Sequence, residues 1–183
     1  MEIIIVLGVI ALVVLFFVAQ YNRLIRLNTS VDEAWAQIEV QLKRRADLIP
    51  NLVETVKGYA KHEQSTFDAV VTARAKATTA STVADTAAAD GMLTQALRGL
   101  LAVAEAYPDL KASANFISLQ EELATTENKV AFSRQFYNDN VRELNTAVKT
   151  VPTNFFAGFA KVNERELYEV EDPQDRKAPN VKF

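Results

Sequence analysis

Cysteine is absent from this 183-residue chain, which excludes disulfides, thiolate metal sites and cysteine nucleophiles and leaves the redox compartment open. Histidine occurs once, at position 62. His62-Glu63 is the first half of a zinc-protease motif, but the second histidine would stand at Thr66, so a zinc site would have to be completed by carboxylates. The expected reading of His62 is a solvated surface residue. A Ser-His-Asp triad would need the same residue, and no G-x-S-x-G elbow occurs. A di-iron bundle needs two Glu-x-x-His motifs, which one histidine cannot supply. The glycines at 8, 58, 91, 99 and 158 are isolated, so there is no phosphate-cradling loop. No catalytic residue, metal or cofactor is expected. A net charge of -3 is too small for nucleic-acid binding by bulk electrostatics.

Glycine and proline number only five each, and with abundant alanine and leucine this composition favours helices over turn-rich β structure. From Ile3 to Ala19 the chain reads IIIVLGVIALVVLFFVA, an uncharged run that covers most of a hydrocarbon core at about 1.5 Å per residue. Gln20 and Tyr21 complete the span. Glu2 stands where a signal peptide would carry basic residues, and no small-x-small cleavage pair lies between Phe16 and Tyr21. The run is therefore expected to be a retained anchor, with Ile3, Leu7, Ile10, Val14, Phe17 and Tyr21 facing lipid. Arg23, Arg26, Lys43, Arg44 and Arg45 all follow the span, which predicts the N-terminus outside and the remainder in the cytoplasm.

Beyond the span, Val31, Trp35, Ile38, Leu42, Ala46, Ile49, Val53, Val56, Ala60, Phe67 and Val71 recur over 40 residues in 11 steps, with polar Gln64 filling one place. That is the α-helical period. The phase survives Pro50, predicting one element from about Ser30 to Ala80, bent at the proline; the alternative starts a new helix at Pro50. Ser30-Val-Asp-Glu33 has the form of a capping box, while Leu24, Asn28, Val31 and Trp35 stay in helical phase with the anchor. A helix start and a stiff continuous stalk both remain open. Ala77 to Gly91 reads as a connection with frayed ends. A second amphipathic helix through Leu93, Leu97, Leu100 and Ala104 stops at Tyr107-Pro108. A third spans Phe116 to Val148 with ten apolar or small positions in helical phase. After Val151-Pro152, Thr153-Asn154 can cap a short helix bearing Phe155, Phe156 and Phe159. A charged, mostly extended tail follows.

Two surfaces are candidate contacts. Lys43, Arg44 and Arg45 lie away from the stripe, as a solvated face or as a contact for anionic lipid headgroups or an acidic partner. Phe155, Phe156 and Phe159 either close the open end of the core or form a docking or membrane-interface patch.

The words YNRLIRLNTSVDEAWAQIEVQLKRRADLIPNLVETVKGYAKHE, ARAKA, LLAVAEAYPDLKASANF, LQEELATTEN and APNVKF closely resemble the LemA family, over nearly the whole chain. TTASTVADTAAADG departs from the family's pattern. The resemblance implies a bacterial single-span membrane protein with a helical bundle on one side, in a family that includes relatives at the magnetosome membrane, and it brings no catalytic residue, cofactor or substrate.

The expected architecture is all-α, a transmembrane helix followed by an antiparallel, LemA-like four-helix bundle of three long helices and one short one. Its divisions are 1–26 as anchor and juxtamembrane segment, 27–161 as bundle and 162–183 as tail. The expected role is a non-catalytic scaffold or interaction protein at the bacterial inner membrane, partnered by the bilayer, by further copies of itself and by other membrane proteins, and not by nucleic acid. A hydrolase or metalloenzyme of unrecognised type is the alternative, and would need carboxylates such as Asp47 and Glu54 buried in a cleft. A pilin-like subunit would share the apolar N-terminal helix but needs a leader before the apolar run and a later β-sheet.

Overall fold

The structure, a computed structural model, describes residues 1–169. The described residues form six helices in order: α1 (Glu2–Tyr59), α2 (Gln64–Thr79), α3 (Val83–Glu105), α4 (Pro108–Lys111), α5 (Ala114–Lys149) and α6 (Asn154–Ala160). No strand occurs among the described residues. The protein is all-α, an N-terminal apolar helix followed by a helical bundle. Its contacts divide the described residues into two compact units, one formed by residues 1–38 and 133–167, the other by 39–132 with Tyr168 and Glu169.

In the second unit, Ile49, Leu52, Val53 and Val56 from α1 meet Phe67, Val70 and Ala73 from α2. Leu93, Leu97, Leu100 and Ala104 from α3 join them, with Leu110 from α4 and Phe116 and Leu123 from α5. These positions recur at three- and four-residue spacing, so each helix turns one apolar stripe to a shared core. The α1–α2 hairpin is antiparallel: Lys57 lies over the Phe67 ring near the turn, while Ala46 pairs with Arg74 further along.

The first unit contains the apolar run of α1, which is long and apolar enough to cross a membrane. Farther along α1, Leu24 packs with Ala147 of α5 and with Phe156 and Ala157 of α6. Trp35 lies against Tyr137, ring centroids 5.4 Å apart, so α1 and α5 run antiparallel here. A Schellman motif closes α6: Val162 N–H donates to Ala157 O at 3.0 Å, and Lys161 N–H to Gly158 O at 3.3 Å. Lys161 carries the required left-handed backbone, φ 52°.

α1 runs unbroken through Ser30, so Ser30-Val-Asp-Glu33 starts no helix and the choice left open there falls to the continuous one, and it runs unbroken through Pro50, as the stripe predicts. Two expectations about boundaries are corrected. The element does not reach Ala80 but breaks at residues 60–63. The stripe loses its phase there: Val70 is buried and Val71 is 54% exposed. The second correction concerns Ala77 to Gly91, where only residues 80–82 leave the helical path. Thr82 caps α3 by accepting from Asp85 N–H at 3.0 Å and donating to the Asp85 carboxylate at 2.7 Å, and the small residues Thr86, Ala87 and Ala89 are buried. Their bulk was too slight to register as a stripe, yet small side chains let a helix backbone approach its neighbours closely.

Candidate functional site

The apolar run of α1 is exposed along its length. Ile3, Leu7, Ile10, Val14, Phe17 and Tyr21, the six expected lipid-facing positions, all lie on the surface. A charge-free helical run with this much outward apolar surface is suited to hydrocarbon rather than to water. Beside its end stands α6. Phe156, 7% exposed, sets its ring edge-on to Phe17, centroids 4.9 Å apart at 89°, and to Phe16 at 6.4 Å. Just ahead of α6, the buried Thr153 donates from its hydroxyl to Gln20 Oε1 at 3.3 Å. Phe155 and Phe159, one helical turn apart, face outward at 69% and 84% exposure. The three phenylalanines therefore divide: Phe156 packs inward and the other two do not.

After α6 the chain runs without helix or strand over residues 162–169, and residues 170–183 of the expected tail lie outside the described residues. The 162–167 segment is strapped to the first unit. The Asn145 side-chain amide donates to Arg165 O and accepts from Arg165 N–H, both at 2.9 Å. Tyr137 donates from its hydroxyl to Glu166 O at 2.9 Å. The Arg165 guanidinium pairs with Asp32 and reaches Asn28, and Lys149 pairs with Glu164 at 2.7 Å. Burial pushes the Tyr137 phenol above its ordinary pKa of 10.0; the nearby Arg165 guanidinium opposes the shift, and the Glu166 and Asp32 carboxylates add to it.

The second unit holds a buried ionic cluster. Arg45 donates to Asp90 Oδ1 at 2.6 Å and to Thr94 Oγ1 at 2.9 Å, and reaches the half-exposed Glu127 at 3.4 Å. The Arg45 and Asp90 side chains are 2% and 5% exposed. Tyr168 donates from its hydroxyl to Asp90 Oδ2 at 3.3 Å. One carboxylate is thus gripped by a cation from α1 and by a phenol from the segment after α6. The cluster joins four parts of the chain, and within it the buried Arg45 and Asp90 charges offset each other.

Of the basic triplet, Lys43 and Arg44 are exposed and Arg45 is not. The expectation that all three lie on an outward face is corrected for Arg45, which is withdrawn as a surface contact because a buried partner 45 residues away holds it. The carboxylates named for a hydrolytic cleft, Asp47 and Glu54, are both exposed. Asp90 is the one buried carboxylate among the described residues; it stands on α3, within the stretch expected to be a connection with frayed ends. His62 lies exposed in the α1–α2 turn, and no group of three or more metal-ligating side chains occurs among the described residues.

A model of the LemA family matches residues 34–183. Protein LemA of Metamycoplasma hominis is 25% identical over 142 residues, covering 77% of this chain and 65% of its own length. The magnetosome protein MamQ of Magnetospirillum gryphiswaldense is 23% identical over 172 residues, covering 78% of this chain and 63% of its own. Magnetosome protein MamQ 2 of Paramagnetospirillum magneticum is 22% identical over 190 residues, with coverages of 90% and 70%. The chain spans slightly less than two thirds of the length of the first two relatives.

Proposed function

The chain belongs to the LemA family, and from that membership we propose a non-catalytic, membrane-anchored helical scaffold that binds further copies of itself and other membrane proteins. The observation that carries this reading is the exposure of the whole apolar run from Ile3 to Val18, on the same helix that supplies Ile49, Leu52, Val53 and Val56 to a packed core. The run is the anchor, crossing the bacterial inner membrane once. Arg23 and Arg26 follow it directly, which supports an N-terminus outside and a cytoplasmic bundle. The names of the magnetosome relatives fit a protein that works at a membrane surface.

Two measurements test the proposal. A reporter that is active only in the cytoplasm should be active when fused to the C-terminus, and an inactive fusion, beside an active fusion of a reporter that works only outside, would reverse the orientation. Gentle detergent extraction followed by mass measurement should give a particle of several copies or one with co-purifying membrane proteins. A strictly monomeric particle without partners would overturn the scaffold.

A further inference from the structure

We propose that α6 is a second membrane-contacting element, with Phe155 and Phe159 seated among phospholipid acyl chains at the headgroup boundary of the leaflet on the bundle side. The proposal rests on the reading of Ile3 to Tyr21 as the anchor. Residues Asn154 to Ala160, NFFAGFA, carry no charge. One side of this helix is committed to the protein through Phe156 and Ala157. The other presents two phenylalanines at 69% and 84% exposure.

What should cover those rings follows from where Phe156 sits. It touches Phe16 and Phe17, which belong to the apolar run itself, and Phe17 lies four residues before Tyr21. At 1.5 Å per residue that is about 6 Å inside the end of the span. Interfacial helices bury their apolar faces about 5–10 Å into the headgroup and acyl boundary, so a helix fastened at Phe17 lies at the matching depth. The surface of Phe155 and Phe159 therefore continues the lipid-facing surface of the span. Polar groups mark the upper limit: Thr153 bonds Gln20, and the exposed Lys161 ends the helix, where its ammonium can reach headgroup phosphates. In this arrangement the first unit holds the bilayer at two points, the span and α6, and tilting of its α1–α5 pair is restrained.

Because the chain has no cysteine, a single introduced one is a unique labelling site. Full-length protein carrying Phe155→Cys, Phe159→Cys, Val14→Cys or His62→Cys, each bearing a nitroxide, is placed in vesicles of phosphatidylethanolamine and phosphatidylglycerol. Collision with oxygen, which concentrates in lipid, is compared with collision with a water-soluble nickel chelate. The expected result is an oxygen-to-nickel ratio at positions 155 and 159 several-fold above that at 62 and approaching that at 14. A lipid-like ratio at 14 with a water-like ratio at 155 and 159 overturns the proposal and leaves the anchor standing. Shielding of 155 and 159 from both reagents also overturns it, since a protein would then cover them. A water-like ratio at position 14 removes the anchor reading and this inference together.

Discussion

Arg74 donates from its Nε to the carbonyl of Ala46 at 2.7 Å, and Ala46 is the residue whose helical hydrogen bond is cancelled by Pro50, four positions on, which has no N–H. The arginine of α2 thus supplies the donor that the proline removes from α1. A proline in a helix interior costs about 3 kcal/mol in isolation, and this bond, with the burial of Ile49, Leu52 and Val53 beside it, offsets part of that cost.

The compensation predicts a non-additive pair. Arg74→Ala leaves a buried carbonyl without a donor and should destabilise the protein by about 1–3 kcal/mol. In a Pro50→Ala background, where residue 50 has its own N–H, the same change should cost less than half as much. Chemical unfolding of the four proteins followed by circular dichroism measures the coupling, and equal costs in both backgrounds would refute it.

Arg45→Met leaves the Asp90 carboxylate buried without its cation and should cost about 3–5 kcal/mol. Adding Asp90→Leu removes the stranded charge, so the double variant should recover at least half of the loss. The same unfolding measurement reads this, and the surface variants Lys43→Ala and Arg44→Ala should each change stability by less than about 0.5 kcal/mol.

The raised pKa of Tyr137 makes stability fall in alkali. The folded state holds the phenolic proton more tightly than the unfolded chain does, so the contribution is complete below the unfolded value near 10 and is lost as pH rises through the higher folded value. Tyr137→Phe should lower stability at neutral pH by roughly 1 kcal/mol through loss of the bond to Glu166 O. It should also remove part of the decline seen above pH 10. Unfolding midpoints across pH 7 to 11 compare the two proteins.

Lys161 holds a left-handed backbone, φ 52°, ψ 35°, which costs a residue with a Cβ about 1–2 kcal/mol. Glycine adopts it without that cost but loses roughly 0.4–1 kcal/mol through the freer unfolded chain. Lys161→Gly should therefore stabilise the protein by roughly 0.5–1 kcal/mol, seen as a higher thermal midpoint. A lower midpoint would mean that the lysine side chain contributes more than its backbone costs.

Much of the helical framework is legible in the chain because period and polarity are local. The stripe from Phe116 to Val148 becomes α5 with Val130, Tyr137, Val141 and Leu144 buried along it, and Tyr107-Pro108 separates α3 from α4. Other signals are present but ambiguous. Thr82-x-x-Asp85 has the form of a helix cap, and the polar Gln64 needed to carry the first stripe forward stands at the start of α2, next to the break. Capping words are ambiguous by themselves: Ser30-x-x-Glu33 has the same form and lies within a continuous helix.

By itself the sequence determined the family, the all-α class, the apolar run and the phase of α1, α3 and α5 within their own lengths, since all of these follow from residue order and the 3.6-residue repeat. Only the tertiary structure decided that Arg45 turns inward, that Arg74 makes good the defect at Pro50, that Asp90 is buried, and that Phe156 packs while Phe155 and Phe159 do not. Each of those outcomes depends on a partner 28 to 139 residues away, and local periodicity holds no information about which distant donor, ring or charge the fold brings into reach.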